Sequence, residues 1–398
     1  MNAVTPPKAN PPVYVLVAGA LALLVAIYFV PVWWVSLTAP NYPPEAFPDG
    51  VRIHFHMNSV FNGCQKVEKA EISETEALDC VHEMDTINHY VGMYPIAAGG
   101  VIERAFSPFL ITMLGVMLVG FAIQTPKLRL GVMAIAFAAL GGWMYLYFYG
   151  ADGLKYQNAG YLEAMVTSMD QSAGEVEAKE LSPGQALIAR LKAELAKSMP
   201  DAQPAATAGG VKGLDAHADK QLYLDNLKTT FDKDSERRGA TDGWAGSGSQ
   251  LLAWHYEKSL GRYFNNPAEI GPMATTMSGA AHGIFWLLIG AMVLLLWGAR
   301  KNSGPLYWLL VLVPLALPLF FLIDYSAWLW WYGHTLNDMG AFTVKPFMPT
   351  VFGQGKVAQF ATHSYPAIGF GLMLAMTALL ALAALLRRKE LEEYTVRK

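Results

Sequence analysis

Six long apolar stretches constrain the fold of this chain more than any other feature of its sequence. A helix needs about 20 apolar residues to cross the hydrocarbon core of a bilayer. The stretches that meet or approach this length are Val13–Leu37, Pro108–Gln124, Leu130–Tyr149, Met277–Trp297, Leu306–Trp331 and Ala367–Leu386. Only 15% of the residues are charged, against roughly 25% in soluble proteins. We therefore expect a mostly α polytopic membrane helix bundle with about six transmembrane helices and sizeable periplasmic loops.

Two of these segments carry further expectations. The first resembles a signal peptide, but its apolar run is too long and only Lys8 precedes it, which favours an uncleaved anchor. The fifth contains Pro314 and Pro318, so we expect a kink there.

The distribution of Lys and Arg predicts the orientation. Three short regions carry basic residues, namely Lys127 with Arg129, Arg300 with Lys301, and Arg387-Arg388-Lys389. The positive-inside rule places these regions and both termini on the cytoplasmic side, and we expect the membrane to be a bacterial inner membrane. The chain then divides into a transmembrane anchor (1–37), a periplasmic His/Met/Cys loop (38–107), helices two and three (108–149), a large, partly helical and partly disordered periplasmic loop (150–276), helices four and five (277–331), an ordered periplasmic loop (332–366), and helix six with a cytoplasmic tail (367–398).

The first predicted outer loop concentrates residues that bind metals. Val51–Met57 alternates apolar and polar residues, which predicts a strand with His54 and His56 on one face, roughly 7 Å apart. Two imidazoles at this spacing could bind one ion, although two solvated histidines on an edge strand would give the same pattern.

A predicted helix adds further candidate ligands. Ser73–Glu76 forms a capping box, and its continuation to Met93 puts His82, His89 and Met93 on one face. An ordinary amphipathic helix remains the alternative. Imidazole and thioether together suit copper. The candidate metal ligands are His54, His56, His82, His89 and Met93, with Met57 and Met84 as weaker candidates.

Cys64 and Cys80 are the two cysteines of the chain. In an oxidising compartment they favour a disulfide, and the alternative is a pair of thiolates that join the metal site. The sequence contains no CxxCH motif for covalent haem attachment.

Three further histidines lie near helix ends at a similar predicted depth: His282, His334 and His363. They are secondary metal or haem candidates, or satisfied interfacial histidines. Asp324 lies near the outer end of the fifth segment, and an intramembrane carboxylate is a functional candidate. In the large loop, helical patterns cover Asp215–Lys233 and Leu251–Phe264, the latter as a surface helix or one packed on the first loop.

Several motifs resemble a known family. They are the stretch from Asn88 to Pro95, the pair Glu103-Arg104, the stretch from Tyr332 to Leu336 and the turn from Lys345 to Pro349. Together they are similar to a polytopic membrane protein associated with atypical (clade II) nitrous oxide reductase systems. The resemblance covers the outer segments but not residues 160–250. It implies support for a periplasmic copper enzyme or its assembly factors through maturation, copper delivery or electron supply, and it assigns no catalytic residue.

Three functions compete on these observations. The first is copper handling at the periplasmic face in support of a copper enzyme. The second is a membrane redox protein that oxidises quinol with haem b or copper and feeds a periplasmic reductase. The third is a transporter, although the helices carry almost no charge at mid-membrane. An accessory or electron-transfer role in denitrification is favoured over a stand-alone enzyme, and a net charge of −3 gives no reason to expect nucleic acid.

Overall fold

The fold is a helix bundle with a small antiparallel sheet at one end. The structure is a computed structural model that describes residues 11–40, 42, 44, 47–58, 60–64, 100–166, 168–169, 216–239, 242–337, 348–357 and 360–396. The helices are α1 (Pro11–Phe29), α2 (Val101–Ala122), α3 (Pro126–Tyr149), α4 (Ala216–Arg238), α5 (Gly248–Lys258), α6 (Ile270–Gly298), α7 (Pro305–Leu315), α8 (Leu317–Thr335) and α9 (Ile368–Val396). The strands are β1 (Trp33–Thr38), β2 (Val51–Phe55), β3 (Val60–Asn62), β4 (Gly353–Val357) and β5 (Phe360–Pro366).

The prediction of a mostly helical membrane protein is confirmed. Within the described residues, five helices (α1, α2, α3, α6 and α9) are long and apolar enough to cross a membrane, and the bent pair α7–α8 gives a sixth crossing if it forms one span.

The first apolar segment is shorter than predicted. We expected a helix over Val13–Leu37, but α1 ends at Phe29 and residues 33–38 form β1. Pro31 lacks a backbone N–H and disfavours helical geometry in the residue before it. The residues after it (Trp33, Trp34 and Val35) are aromatic or β-branched, which suits a strand. The predicted boundary between anchor and loop at residue 37 is therefore wrong by about eight residues.

Strand β1 is the centre of the sheet. The order is β3-β2-β1-β5-β4, and every neighbouring pair is antiparallel. Trp33 pairs with Phe55 on one side and with Pro366 on the other. The sheet therefore joins the connection after α1 to the connection before α9. We call the end of the bundle that carries this sheet the sheet end.

Other helix boundaries also differ from the prediction. Helix α2 begins at Val101 rather than Pro108. Pro108 has no amide hydrogen for the Arg104 carbonyl, and the Ser107 hydroxyl donates to that carbonyl at 3.0 Å instead. Residues 101–107 thus belong to a helix and not to the first loop. Helix α6 begins at Ile270 instead of Met277, and α8 continues to Thr335, so His334 is helical. The ordered loop predicted at 332–366 instead contains β4 and β5.

The kink predicted in the fifth segment is confirmed. Helices α7 and α8 meet at Ala316 with a bend of 64°. Thr377 of α9 donates its hydroxyl to the Leu315 carbonyl at 2.8 Å. This bond satisfies an acceptor that the break would leave without a helical partner.

Two arginines connect neighbouring helices at the end of the bundle opposite the sheet. Arg129 is fully buried and donates to the carbonyls of Ala299 at 2.8 Å and Lys301 at 2.7 Å. Arg387 donates to the carbonyls of Phe121 and Ala122 at the end of α2. Cations at helix C-termini satisfy the last carbonyls and oppose the helix dipole. These two residues therefore have a structural role in addition to any influence on topology.

The helices outside the bundle pack beside its sheet end. The pattern over 215–233 correctly predicted a helix, since α4 buries Leu227 and Phe231. The pattern over 251–264 is realised as α5 and a 3₁₀ turn (Leu260–Tyr263). Helix α5 contacts α2, α3 and α6 and buries Trp254 and His255, so it is an integral part of the fold. A further helix, predicted to run from a cap at Ser182 to about Ser198, lies outside the described residues.

Candidate functional site

Strand β2 presents its two faces as the alternating sequence predicts. Val51, Ile53 and Phe55 are buried on the inner face, which packs on α8 through Tyr325 and Leu329. Arg52 and His54 are half-buried on the opposite face. The predicted strand is therefore confirmed over Val51–Phe55.

His56 departs from the prediction because the strand ends one residue before it. Its imidazole hydrogen-bonds the backbone of Phe29 and packs edge-on against Phe61, with ring centroids 4.8 Å apart. His56 and Met57 then border a cavity among the membrane helices. His54 pairs with Phe61 in the sheet, and His56 packs on that same Phe61 ring, so the two imidazoles are neighbours although only His54 lies within the strand. A metal site shared by the two stays a prediction.

Both imidazoles are held in their neutral form. The pKa of His56 is lowered to about 4, first by burial and second by the neighbouring His54, while the bond to Phe29 acts in the opposite direction. The pKa of His54 is lowered by burial first and by the Arg52 cation second, with Asp49 opposing. A neutral imidazole is the form that binds metals, so both side chains are available as ligands at pH 7.

Charge near His54 is arranged around Arg52. The guanidinium lies 3.2 Å from the Asp49 carboxylate and 4.3 Å from the centroid of the Trp34 ring. Asp49 offsets part of the positive charge, and the indole face stabilises the rest through a cation–π contact.

The chain returns to His54 directly after β3. Gly63 packs on the imidazole so closely that a Cβ there would come within 2.8 Å of His54 Cδ2. Its amide donates to the Arg52 carbonyl at 2.8 Å. The next residue, Cys64, is disulfide-bonded. Cys80 lies outside the described residues, so the predicted pairing stays a prediction.

The described part of the predicted metal site is incomplete. His54, His56 and Met57 are described, whereas His82, Met84, His89 and Met93 lie outside the described residues. Within the described ranges, no cluster of three or more His, Cys, Asp or Glu residues could hold a metal ion. The copper site therefore stays a prediction.

The secondary histidines have separate neighbours. His282 Nδ1 lies 2.8 Å from the Tyr149 hydroxyl, and its ring stacks on that phenol. His334 stacks on Trp330 and bonds its carbonyl at 2.7 Å. His363 is on β5, with Nε2 3.5 Å from Thr38 Oγ1. A haem b with two axial histidines needs two of them facing each other, and none of the hydrogen bonds or ring contacts of these three joins one to another.

His282 lies farther from the start of its helix than the sequence suggested. Because α6 begins at Ile270, His282 is 12 residues from its start, about 18 Å at 1.5 Å per residue. Its bond to the end of α3 shows that it braces two helices.

His255 is a buried core residue. It is fully buried in α5, and burial together with the nearby Arg104 cation lowers its pKa to about 3. The residue is therefore neutral at pH 7.

The cavity that His56 borders is the other notable feature of the sheet end. It measures about 980 Å³ and lies between α2, α6, α7 and α8. Its polar lining includes His56, Glu103, Arg104, Ser107 and Asp324. Sequence reasoning marked Asp324 alone as an intramembrane candidate. Glu103 was not predicted as a cavity residue, because it precedes the segment that we expected to be helical. The charged pair Glu103-Arg104 beside an apolar run could have indicated it.

No protein family, no curated protein sequence and no solved structure matches this chain.

Proposed function

We propose that this chain handles copper at the periplasmic face of a bacterial inner membrane, in support of a periplasmic copper enzyme such as nitrous oxide reductase. The observation that carries the proposal is the position of the two ends of segment 65–99. Gly63 packs directly on His54, and Gly100 borders the same cavity as His56 and Met57. The segment that contains four predicted ligands therefore leaves and re-enters the described fold beside the other three.

A Cys64–Cys80 disulfide would restrict this segment further. The Cα atoms of a disulfide are usually about 4.4–6.8 Å apart. His82 and Met84 follow Cys80 by two and four residues, which span at most ~7 and ~14 Å. The bridge would thus hold these two ligands near β2, and mass spectrometry without reductant should detect the linked peptides.

The surroundings favour monovalent copper over a divalent ion. Neutral imidazole and thioether suit Cu(I). Repulsion from Arg52 rises in proportion to the charge of a bound ion, so the cation beside His54 penalises Zn²⁺ or Cu²⁺ more than Cu⁺. Asp49 reduces this repulsion without removing it, because its carboxylate is already paired with Arg52 at 3.2 Å.

The test compares metal content among variants of the full-length protein. Copper, iron and zinc are measured together in the wild type, in His56→Ala/His89→Ala and in His334→Ala. We expect bound copper in the wild type and loss of most of it in the double variant. His334 is an exposed histidine at the same end of the bundle, so its variant is the matched control and should keep its copper.

Two outcomes would contradict different parts of the proposal. Full copper stoichiometry in the double variant would remove the proposed site. Loss of copper with unchanged nitrous oxide reductase activity in the host would leave the site in place and reject its proposed purpose.

A further inference from the structure

The cavity among α2, α6, α7 and α8 is elongated. Its wall on α2 runs from Glu103 to Met117, which is 14 residues or ~21 Å along the helix axis. Its volume of about 980 Å³ is near the upper limit of sites for drug-sized ligands, roughly 300–1,000 Å³. The space therefore suits a long molecule that lies parallel to the helices.

Polarity within the cavity is segregated. His56, Glu103, Arg104 and Asp324 belong to its sheet end, below the inner face of the sheet, where Phe55 packs on Tyr325 of α8. Farther along α2 the lining is apolar, as it is on α6 and α7, with Leu114, Ala291 and Val313 as examples. A ligand with a polar head and an apolar tail matches this division.

Two carboxyl groups, those of Glu103 and Asp324, line the same part of the cavity. Glu103 and Asp324 are close enough for their charges to interact. Both side chains are accessible from the cavity, and Asp324 has the apolar neighbours Phe320 and Ile323 on the same helix. A carboxyl group in an apolar membrane environment is costly unless it is hydrogen-bonded or protonated. A ligand that can exchange hydrogen bonds with both acids would stabilise this arrangement.

The cavity also opens toward lipid. Phe320 and Ile323 line it and are 52% and 57% exposed on α8. The bend of 64° between α7 and α8 lets both helices contribute to the same wall. A molecule dissolved in the bilayer could thus enter from the side, without passing through water.

We propose that this cavity binds a quinone or quinol, with the ring at the sheet end between Glu103, Asp324 and His56 and the isoprenoid tail along α2. The two ring oxygens of a quinol can donate to a carboxylate or a neutral imidazole. Those of a quinone can accept from a protonated acid. A phospholipid fits less well, because its phosphate would bring a negative charge toward two acidic groups, with Arg104 as the one cation among the lining residues that the structure describes. A plain hydrocarbon would offer neither acid a hydrogen bond.

This inference goes beyond the copper proposal and does not depend on it. Copper binding rests on residues around β2 and the segment 65–99, whereas quinone binding rests on α2, α6 and α8. His56 borders both regions, so the variants that test the cavity avoid it.

The test is binding of a naphthoquinone or a benzoquinone, each with a short alkyl tail, to the full-length protein in detergent. Trp328 and Trp331 line the cavity, so bound quinone should quench tryptophan fluorescence in a saturable manner. Ala291→Phe fills the apolar half of the cavity and should weaken binding about ten-fold or more, equivalent to at least 1.4 kcal/mol. Ala138→Phe is the matched control, because Ala138 is exposed on α3 and does not line the cavity.

Further variants separate the polar and apolar contributions. Leu114→Phe repeats the filling test from α2 in case Ala291→Phe fails to fold. Asp324→Asn and Glu103→Gln should each weaken binding several-fold and reduce its dependence on pH. Copper content should be unchanged in Ala291→Phe, which distinguishes this inference from the copper proposal.

The proposal is overturned if the wild type shows no saturable quenching by either quinone. It is also overturned if the filling variants bind as tightly as Ala138→Phe. Displacement of the probe by phosphatidylglycerol at equal concentration would identify the cavity as a phospholipid site instead.

Discussion

At the scale of single residues, Gly63 determines where the His54 imidazole can lie. A Cβ at this position would come within 2.8 Å of His54 Cδ2 and 3.0 Å of Arg52 Cγ. Both side chains belong to the outer face of β2, where the cation and the imidazole are already close. A side chain at residue 63 would therefore displace the His54 imidazole from its present position.

We predict that Gly63→Ala destabilises the fold by about 1–3 kcal/mol, the usual cost of overpacking. It should also reduce copper binding, because His54 must move. Melting temperature and copper stoichiometry in detergent measure the two effects. Gly142→Ala is the control, since a Cβ at that helical position meets no atom within 4 Å. Equal melting temperatures for the two variants would contradict the proposed contact.

His255 gives a prediction on pH. Its pKa is lowered to about 3 in the folded protein, against about 6.5 in an unfolded chain. Between these values the unfolded state binds a proton that the folded state does not. Stability must therefore fall as pH falls from 6.5 toward 3, by at most about 1.4 kcal/mol per pH unit.

We expect His255→Gln to lose less stability than the wild type between pH 7 and pH 5. The measurement is the melting temperature of the purified protein across that range. His334→Gln replaces an exposed histidine and should keep the slope of the wild type. A slope that is unchanged in His255→Gln would show that the buried imidazole does not control acid stability.

At the scale of elements, the connection between α6 and α7 depends on one side chain from α3. Arg129 donates to the carbonyls of Ala299, Lys301 and Ile123 and to Asn302 Oδ1. Its guanidinium also lies 4.8 Å from the centroid of the Tyr307 ring. One planar group thus holds the ends of three helices together.

We predict that Arg129→Leu is strongly destabilising, because each buried acceptor left without a donor costs ~1–3 kcal/mol. Arg129→Lys should recover only part of the loss, since an ammonium cannot reproduce the planar set of donors. Thermal unfolding in detergent measures both. Arg388→Leu is the control, because its ion pair with Glu392 is exposed and such pairs contribute about 0–1 kcal/mol. Similar losses for Arg129→Leu and Arg388→Leu would contradict this role.

At the scale of the whole molecule, the sheet determines where the first and last spanning helices point. Strand β1 follows α1, β5 precedes α9, and the two strands pair with each other. The C-terminal end of α1 and the N-terminal end of α9 therefore lie together at the sheet end. Pro11 and Val396 consequently lie at the opposite end of the bundle.

The path of α7 and α8 agrees with this placement of the two termini. Leu306, at the start of α7, lies beside Gly298 at the end of α6. Asn337, just after α8, bonds the Tyr263 carbonyl near the start of α6. Together α7 and α8 thus run from one end of α6 to the other, and we infer that they form one broken span rather than a re-entrant loop.

We predict that both termini lie on the same side of the membrane, in the cytoplasm as the basic residues indicate. Reporters fused to the N- and C-termini should be active only in their cytoplasmic form. A reporter inserted in the segment 170–215 should be active only in its periplasmic form. Opposite locations for the two termini would rule out six crossings and reopen the re-entrant alternative.

Local patterns in the sequence determined much of this architecture. The apolar runs predicted the membrane helices, and Pro314 with Pro318 predicted the bend. The alternation from Val51 to Phe55 predicted β2 and its buried face. These features depend on residues that are close in sequence, so the chemistry of each segment was sufficient.

Only the tertiary structure decided the rest, because it depends on residues that are far apart in sequence. The apolar stretch from Trp33 to Leu37 could continue a helix or form a strand, and its pairing with residues 361–366 and 51–55 decided for the strand. The same is true of the cavity, where Glu103 and Asp324 meet although more than 200 residues separate them. The hydrophobicity of a segment determines that it is buried. Which residues it contacts depends on how distant segments pack together.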